Sequence, residues 1–157
     1  MSNKYKTEEC KVYYVTITVV GWIDVFIRKE YVCELIKNIQ YCQQNKRLEI
    51  YAYVIMSNHI HMVAKAKTGR LNILLGHFKS LTAKKLIKQI EQNQQESRKE
   101  WLMHIFKFFG RGNSQNEEYQ FLQNGNHPIE LWSNEMIQQK INYIHNNPVK
   151  QGVVANP

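Results

Sequence analysis

His59-Ile60-His61 is the triplet in this chain whose residue types and spacing best suit metal binding. Alternate residues of a β-strand share a face, so the two imidazoles project together, with roots roughly 6–7 Å apart. Ile60, Met62, Ala64 and Ala66 then line the opposite, apolar face. Two histidines on one sheet face can equally be held by local hydrogen bonds, so the pair needs a complement. Tyr143 and Asn147 provide one, because at helical spacing residues four apart stack on one face, about 6 Å between their roots. Where that face opposes the histidines, Asn147 offers an amide oxygen as a third ligand. Two nitrogens and one oxygen with open positions suit Mg²⁺ or Mn²⁺, whereas a closed zinc site wants a fourth protein ligand. A phenol, with an unperturbed pKa of about 10, attacks poorly at neutral pH unless its target is activated. A divalent ion on a phosphodiester supplies that activation by drawing charge from the non-bridging oxygens, which makes Tyr143 a candidate nucleophile forming a phosphotyrosine. Lys140, one turn earlier, either steadies a phenolate or phosphate oxygen or simply faces solvent.

The elements that must position these groups are legible in order. Lys11 to Val20, KVYYVTITVV, is rich in β-branched and aromatic residues and predicts a mostly buried strand. From Lys29 to Gln44, Val32, Leu35, Ile36, Ile39 and Cys42 recur at helical spacing. Leu48 to Met56 and His59 to Lys67 read as two strands joined by a tight turn at Ser57-Asn58. This β-α-β-β order is the first part of a ferredoxin-like α+β unit. A long helix follows from Leu71 to Gln92, with Leu74, Leu75, Phe78, Leu81, Leu86 and Ile90 on one side. Lys79, Lys84, Lys85 and Lys88 crowd its other positions, as an ordinary solvated face or as phosphate contacts. Glu91 to Glu100 is a polar helix end or loop. Trp101 to Gly110, WLMHIFKFFG, is the most aromatic segment, and beside Lys107 and Arg111 it can stack unpaired bases or pack into the core. Arg111 to Tyr119 looks irregular, and a short strand near Ile129 would complete the sheet. Ser133 is a good N-cap with Glu135 in the first turn, so the last helix should run from Asn134 to Asn146 and stop at Asn147-Pro148. Its packing stripe is Ile137, Ile141 and Ile144. A second stripe, Met136, Lys140, Tyr143 and Asn147, is free to look into a cleft.

At 157 residues and 43% apolar the chain suits one domain, residues 1–157, with a sizeable core. The polar start MSNKYKTEECK lacks the apolar run of a signal peptide or membrane span, so a cytoplasmic protein is expected. Cys10, Cys33 and Cys42 are odd in number and lack C-x-x-C spacing, which fits reduced thiols. A formal net charge of +8 points to a polyanionic partner, most simply nucleic acid.

YAYVIMSNHIHMVAKA resembles the histidine, hydrophobic residue, histidine signature of single-tyrosine HUH transposases. YIHNNPVKQGVV resembles the C-terminal signature of their REP-associated tyrosine transposase branch. KVYYVTITVV, LGHFKSLTAKKL and NHPIEL extend the likeness across the chain. The resemblance implies a ferredoxin-like α+β fold, the HUH endonuclease fold, with an antiparallel sheet and helices packed on it. It also implies that His59, His61 and Asn147 hold Mg²⁺ or Mn²⁺ while Tyr143 attacks single-stranded DNA with hairpin or palindromic ends. Cleavage of that kind leaves a 5′-phosphotyrosine and a free 3′-hydroxyl able to reverse the reaction onto another strand, so no ATP is needed. Such proteins act as monomers or homodimers. Ser57 stands where relatives often carry Pro or Thr, and relatives commonly run on beyond the NPV-x-x-G segment, whereas this chain ends at Pro157. Two other readings compete with the transferase: a domesticated hairpin-DNA binder that does not cut, and a metal-dependent phosphoesterase using water. Tyr119 is the rival nucleophile.

Overall fold

The computed structural model describes residues 7–112 and 118–150 of the chain. In order these form β1 (Tyr13–Thr18), α1 (Lys29–Asn45), β2 (Leu48–Ile55), β3 (His59–Ala66), α2 (Leu71–Gln92), α3 (Lys99–Arg111), β4 (Ile129–Glu130) and α4 (Asn134–Lys150). A short 3-10 turn, Val20–Trp22, follows β1. The sheet has the strand order β2-β3-β1-β4, every neighbouring pair antiparallel. That is the ferredoxin-like arrangement expected from the β-α-β-β start.

Period-two alternation divides β1 and β3 between two cores. Tyr13, Val15 and Ile17 of β1 and Ile60, Met62, Ala64 and Ala66 of β3 face the larger one, where α1 and α2 bury Tyr31, Leu35, Ile39, Leu75, Phe78 and Leu86. On the other face, Tyr14, Ala52, Val63 and Leu131 pack with Ile144 of α4, flanked by Ile137 and Ile141. The sheet is therefore covered on both sides, and β1 and β3 carry apolar residues on both faces because both are interior strands.

One element is additional to those expected and one differs in extent. The aromatic segment forms α3, where Leu102, Phe106 and Gly110 recur every four residues and turn inward. Helix α4 does not stop at Asn146 but continues through Pro148 to Lys150. Pro148 lies in the last turn, where its missing N–H removes one bond and few residues follow to be displaced. Ser133 caps the start, its Oγ accepting the Met136 N–H at 3.1 Å. Residues 113–117, within the segment expected to be irregular, and the Gln151-Gly152-Val153-Val154 end of the C-terminal motif lie outside the described residues.

Candidate active site

β3 delivers the two imidazoles to the face covered by α4. In register, His61 sits opposite Thr16 and His59 opposite Thr18 of β1. The rings are 4.6 Å apart between centroids and inclined at 73°.

Each ring is fixed through the same nitrogen. Asn58 donates through Nδ2 to the Trp22 carbonyl at 3.1 Å and to Asp24 Oδ1 at 3.2 Å. Its Oδ1 therefore faces His59 Nδ1, at 2.7 Å, and can only accept. His59 thus carries its proton on Nδ1, with Nε2 left as a lone-pair donor. His61 Nδ1 meets the Tyr14 hydroxyl at 2.8 Å and the Thr16 hydroxyl at 3.0 Å. A hydroxyl both donates and accepts, so this pair of contacts orients the ring and is compatible with a proton on Nδ1 and a lone pair on Nε2. Burial lowers the pKa of His59. Burial, then the His59 and Lys140 charges, lowers that of His61 to about 4. Two neutral imidazoles with Nδ1 hydrogen-bonded and Nε2 available are what a divalent ion requires.

Helix α4 brings Tyr143 to this pair. Its ring centroid is 6.0 Å from that of His61 and 6.2 Å from that of Tyr14, edge-on to both. Asn147, one turn further along, is buried. Among the described residues no group of three or more His, Cys, Asp or Glu could hold a metal, and Asn147 is the buried amide that α4 carries one turn beyond Tyr143. The donor set of two imidazoles and one amide fits an open Mg²⁺ or Mn²⁺ site.

Two tyrosines lie beside the imidazoles, and exposure separates them. Tyr14 is 6% exposed, and burial followed by the charge of Tyr143 raises its pKa to about 12, so it remains a phenol that orients His61. Tyr143 is 41% exposed and within reach of a substrate. The expected rival, Tyr119, packs against the core on the α1 and α2 side, across the sheet from the imidazoles.

Among the basic residues singled out, Lys140 reaches the site, its Nζ 4.5 Å from the Tyr14 ring and 5.6 Å from the Tyr143 ring. Lys84, Lys85, Lys88, Lys107 and Arg111 lie exposed on α2 and α3, in the layer across the sheet. Lys85 there pairs with Glu34 at 3.4 Å. Lys79 corrects the expectation of a phosphate contact. Its ammonium is turned inward onto the Gln123 and Gly125 carbonyls and Asn126 Oδ1, at 2.5, 3.0 and 3.3 Å, and holds that loop against α2.

Tyr14, Thr16 and Asn58 are functional residues that the sequence reading passed over. Thr16 and Thr18 share the face of β1 with Tyr14, but threonine is a favoured strand residue and gives no signal by itself.

This geometry is that of an HUH nuclease fold, and the comparisons agree. Residues 10–121 match the family model described as "Transposase IS200 like", and the chain belongs to that family. The match covers both histidines and stops short of Tyr143 and Asn147. No sequence among curated proteins matches the chain. Among solved structures it is similar to one described as "Structure of the REP associates tyrosine transposase bound to a REP hairpin", with a TM-score of 0.68 and 15% identity. That match covers 99% of this chain and 76% of the other. Among the described residues no helix is long and apolar enough to cross a membrane.

Proposed function

We propose that this IS200-like transposase cleaves and rejoins single-stranded hairpin DNA through a covalent 5′-phosphotyrosine on Tyr143, with Mg²⁺ or Mn²⁺ as cofactor. The observation that carries the reading is the accessible phenol of Tyr143 beside two buried imidazoles, each anchored through its Nδ1. A divalent ion held by His59, His61 and Asn147 would draw charge from the non-bridging oxygens of a phosphodiester. Tyr143 Oη attacks phosphorus in line and loses its proton, the P–O3′ bond breaks, and the departing 3′ oxygen takes up a proton. Attack by a 3′-hydroxyl on the phosphotyrosine reverses the sequence and conserves the bond energy. Lys140, its Nζ 5.6 Å from the Tyr143 ring, is the cation at hand for a phosphate oxygen, while Tyr14 and Thr16 orient the His61 ring through its Nδ1. Hairpin DNA as substrate accords with the REP hairpin bound to the transposase of similar structure and with the charge of +8.

The test is incubation with labelled single-stranded hairpin DNA and Mg²⁺ or Mn²⁺, followed by a denaturing gel. A covalent adduct lost in Tyr143→Phe is expected. Cleavage without an adduct that survives Tyr143→Phe means hydrolysis by water, and shifted but uncut DNA means a binder. An adduct that persists in Tyr143→Phe and disappears in Tyr119→Phe overturns the assignment.

A further inference from the structure

His59 stands directly after the Ser57-Asn58 turn, and the chain between β1 and α1 wraps around that turn. Val19 N–H donates to the Asn58 carbonyl at 2.9 Å and Phe26 N–H to the Ser57 carbonyl at 2.8 Å. Between those two bonds the same segment meets the Asn58 side chain twice, where Nδ2 donates to the Trp22 carbonyl at 3.1 Å and to Asp24 Oδ1 at 3.2 Å. Both acceptors are held in place. Gly21 and Trp22 have φ angles of 64° and 56°. A left-handed backbone under a bulky residue is costly and persists where the surroundings enforce it, which concentrates such residues at functional sites. Asp24 is the apex of a tight turn closed by Val25 N–H on the Ile23 carbonyl at 2.9 Å, and the side chains of Ile23 and Val25 are both buried. The Asp24 carbonyl accepts from Arg98 Nη1 at 3.0 Å, and Arg98 Nε pairs at 3.2 Å with Glu96, a buried carboxylate also held by Arg28 at 2.6 Å. The fold thus delivers the Asp24 carboxylate to the Asn58 amide.

An asparagine amide has two orientations, and at this position they have opposite consequences for the neighbouring histidine. With Nδ2 on Trp22 and Asp24, Oδ1 accepts from His59 Nδ1 at 2.7 Å and the His59 lone pair lies on Nε2. Turned over, the amide would set Oδ1 against two acceptors and donate to Nδ1, which leaves the ring proton on Nε2, where no metal can bind. Of the two acceptors that forbid this, the Trp22 carbonyl is neutral and the Asp24 carboxylate is charged. Charge-assisted hydrogen bonds are about twice as strong as neutral ones, so Asp24 contributes the larger share of the bias. We propose that Asp24 is a positioning residue for the reaction: acting through Asn58, it keeps the His59 proton on Nδ1 and Nε2 free to ligate. The inference rests on the reading of His59 as a metal ligand.

The test uses the full chain, without DNA, carrying nitrogen-isotope-labelled histidine. At neutral pH and without metal, NMR shifts of the His59 ring nitrogens should place the proton on Nδ1 in the native protein and move population towards Nε2 in Asp24→Ala. Titration with Mn²⁺ should then give a Kd about tenfold higher in Asp24→Ala, the low end of what outer partners of ligating histidines contribute. Asp24 is exposed, so its truncation removes no packing. Asp24→Asn keeps the shape of the turn and can satisfy either orientation of Asn58; it should move both readouts the same way by less, and it carries the test where Asp24→Ala disturbs folding. Adding Asn58→Asp to Asp24→Ala separates positioning from support of the fold. A carboxylate in place of the Asn58 amide accepts from Nδ1 through either oxygen and needs no orienting partner, so the proton and the Mn²⁺ affinity should both return towards native. A His59 proton that stays on Nδ1 in both Asp24 variants, or a lost Mn²⁺ affinity that Asn58→Asp does not restore, overturns the proposal. A Tyr143 adduct that forms while the His59 shifts are unmoved by Asp24→Ala sinks the role of Asp24 and leaves the transferase standing. Shifts that move as expected, with no adduct in the native protein, do the reverse.

Discussion

Whether an imidazole binds a metal at neutral pH depends on where its proton sits, which Asn58 decides for His59, while Tyr14 and Thr16 orient the ring of His61. Tyr14 donates no ligand, yet its hydroxyl lies 2.8 Å from His61 Nδ1. Tyr14→Phe keeps the ring and removes that hydroxyl. Partners of this kind typically contribute about 10- to 100-fold in metal affinity or activity. The expected result is a rise of that order in the Mn²⁺ concentration giving half-maximal adduct, with an unchanged fold by circular dichroism. An unchanged half-maximal concentration would show that Thr16 suffices. The same burial makes His61 a source of acid sensitivity. Its pKa falls from 6.5 to about 4 on folding, so between those values the unfolded chain binds the extra proton. Stability is unaffected by this group above pH 6.5 and is lost as pH drops through that window. In urea titrations the native protein should lose more stability than His61→Gln between pH 7 and pH 5.5, and parallel losses would refute the assignment. Histidine spacing announced this pair because a strand has only two faces. Tyr14 and Thr16 were not announced, because a hydroxyl in a β-rich run carries no label saying which side of the sheet it will occupy.

At the scale of elements, boundaries set by periodicity and turn chemistry were legible and those set by tertiary contact were not. Helix α2 runs from Leu71 to Gln92 as expected, its apolar stripe extending from Leu71 to Ile90. The hairpin turns at Ser57-Asn58, where Met56 N–H donates to the His59 carbonyl at 2.8 Å. Asn147-Pro148 reads as a stop, but a proline in a final turn has nothing beyond it to break. In α3 the density of aromatic residues hid the inward spacing of Leu102, Phe106 and Gly110. Gly110 is the clearest case of a residue chosen by its neighbour. A Cβ there would stand 2.5 Å from the Glu118 carbonyl oxygen and 3.0 Å from the Tyr119 Cα, both backbone. Gly110→Ala must therefore move the chain that leads into Tyr119, and overpacking of that kind costs roughly 1–3 kcal/mol. A urea midpoint equal to that of the native protein would mean the segment yields freely. Helix α4 invites the complementary test at its cap. Ser133→Ala should cost about 1 kcal/mol by removing the bond to Met136 N–H, while adduct formation well below the unfolding transition stays near native, since Tyr143 lies more than two turns away.

For the molecule as a whole, a net charge of +8 sets an attraction for DNA but does not say which face receives it. Lys79 shows the limit of reading charge from sequence. It stands among phosphate candidates on α2, yet it is turned inward onto three oxygens; burial draws its pKa down to about 8, and those oxygens favour the charged form. Lys84 and Lys88 remain exposed on the same helix, and Lys84 borders a groove shared with Ser80, Tyr119 and Asn124. Salt dependence distinguishes the two kinds of lysine. Each phosphate neutralised by a lysine contributes about 0.9 to the slope of log K against log salt on duplex DNA and about 0.7 on a single strand. If α2 faces the hairpin, Lys84→Ala and Lys88→Ala should each lower the slope by roughly that amount, the larger value identifying the stem and the smaller the flank. Lys79→Met should leave the slope alone and instead lower the unfolding midpoint, because three oxygen acceptors lose their donor. Slopes that do not move in Lys84→Ala or Lys88→Ala would place the DNA wholly on the α4 side. Lys140 would then be the cation nearest the phosphate, and Lys140→Ala should carry the slope change that α2 does not.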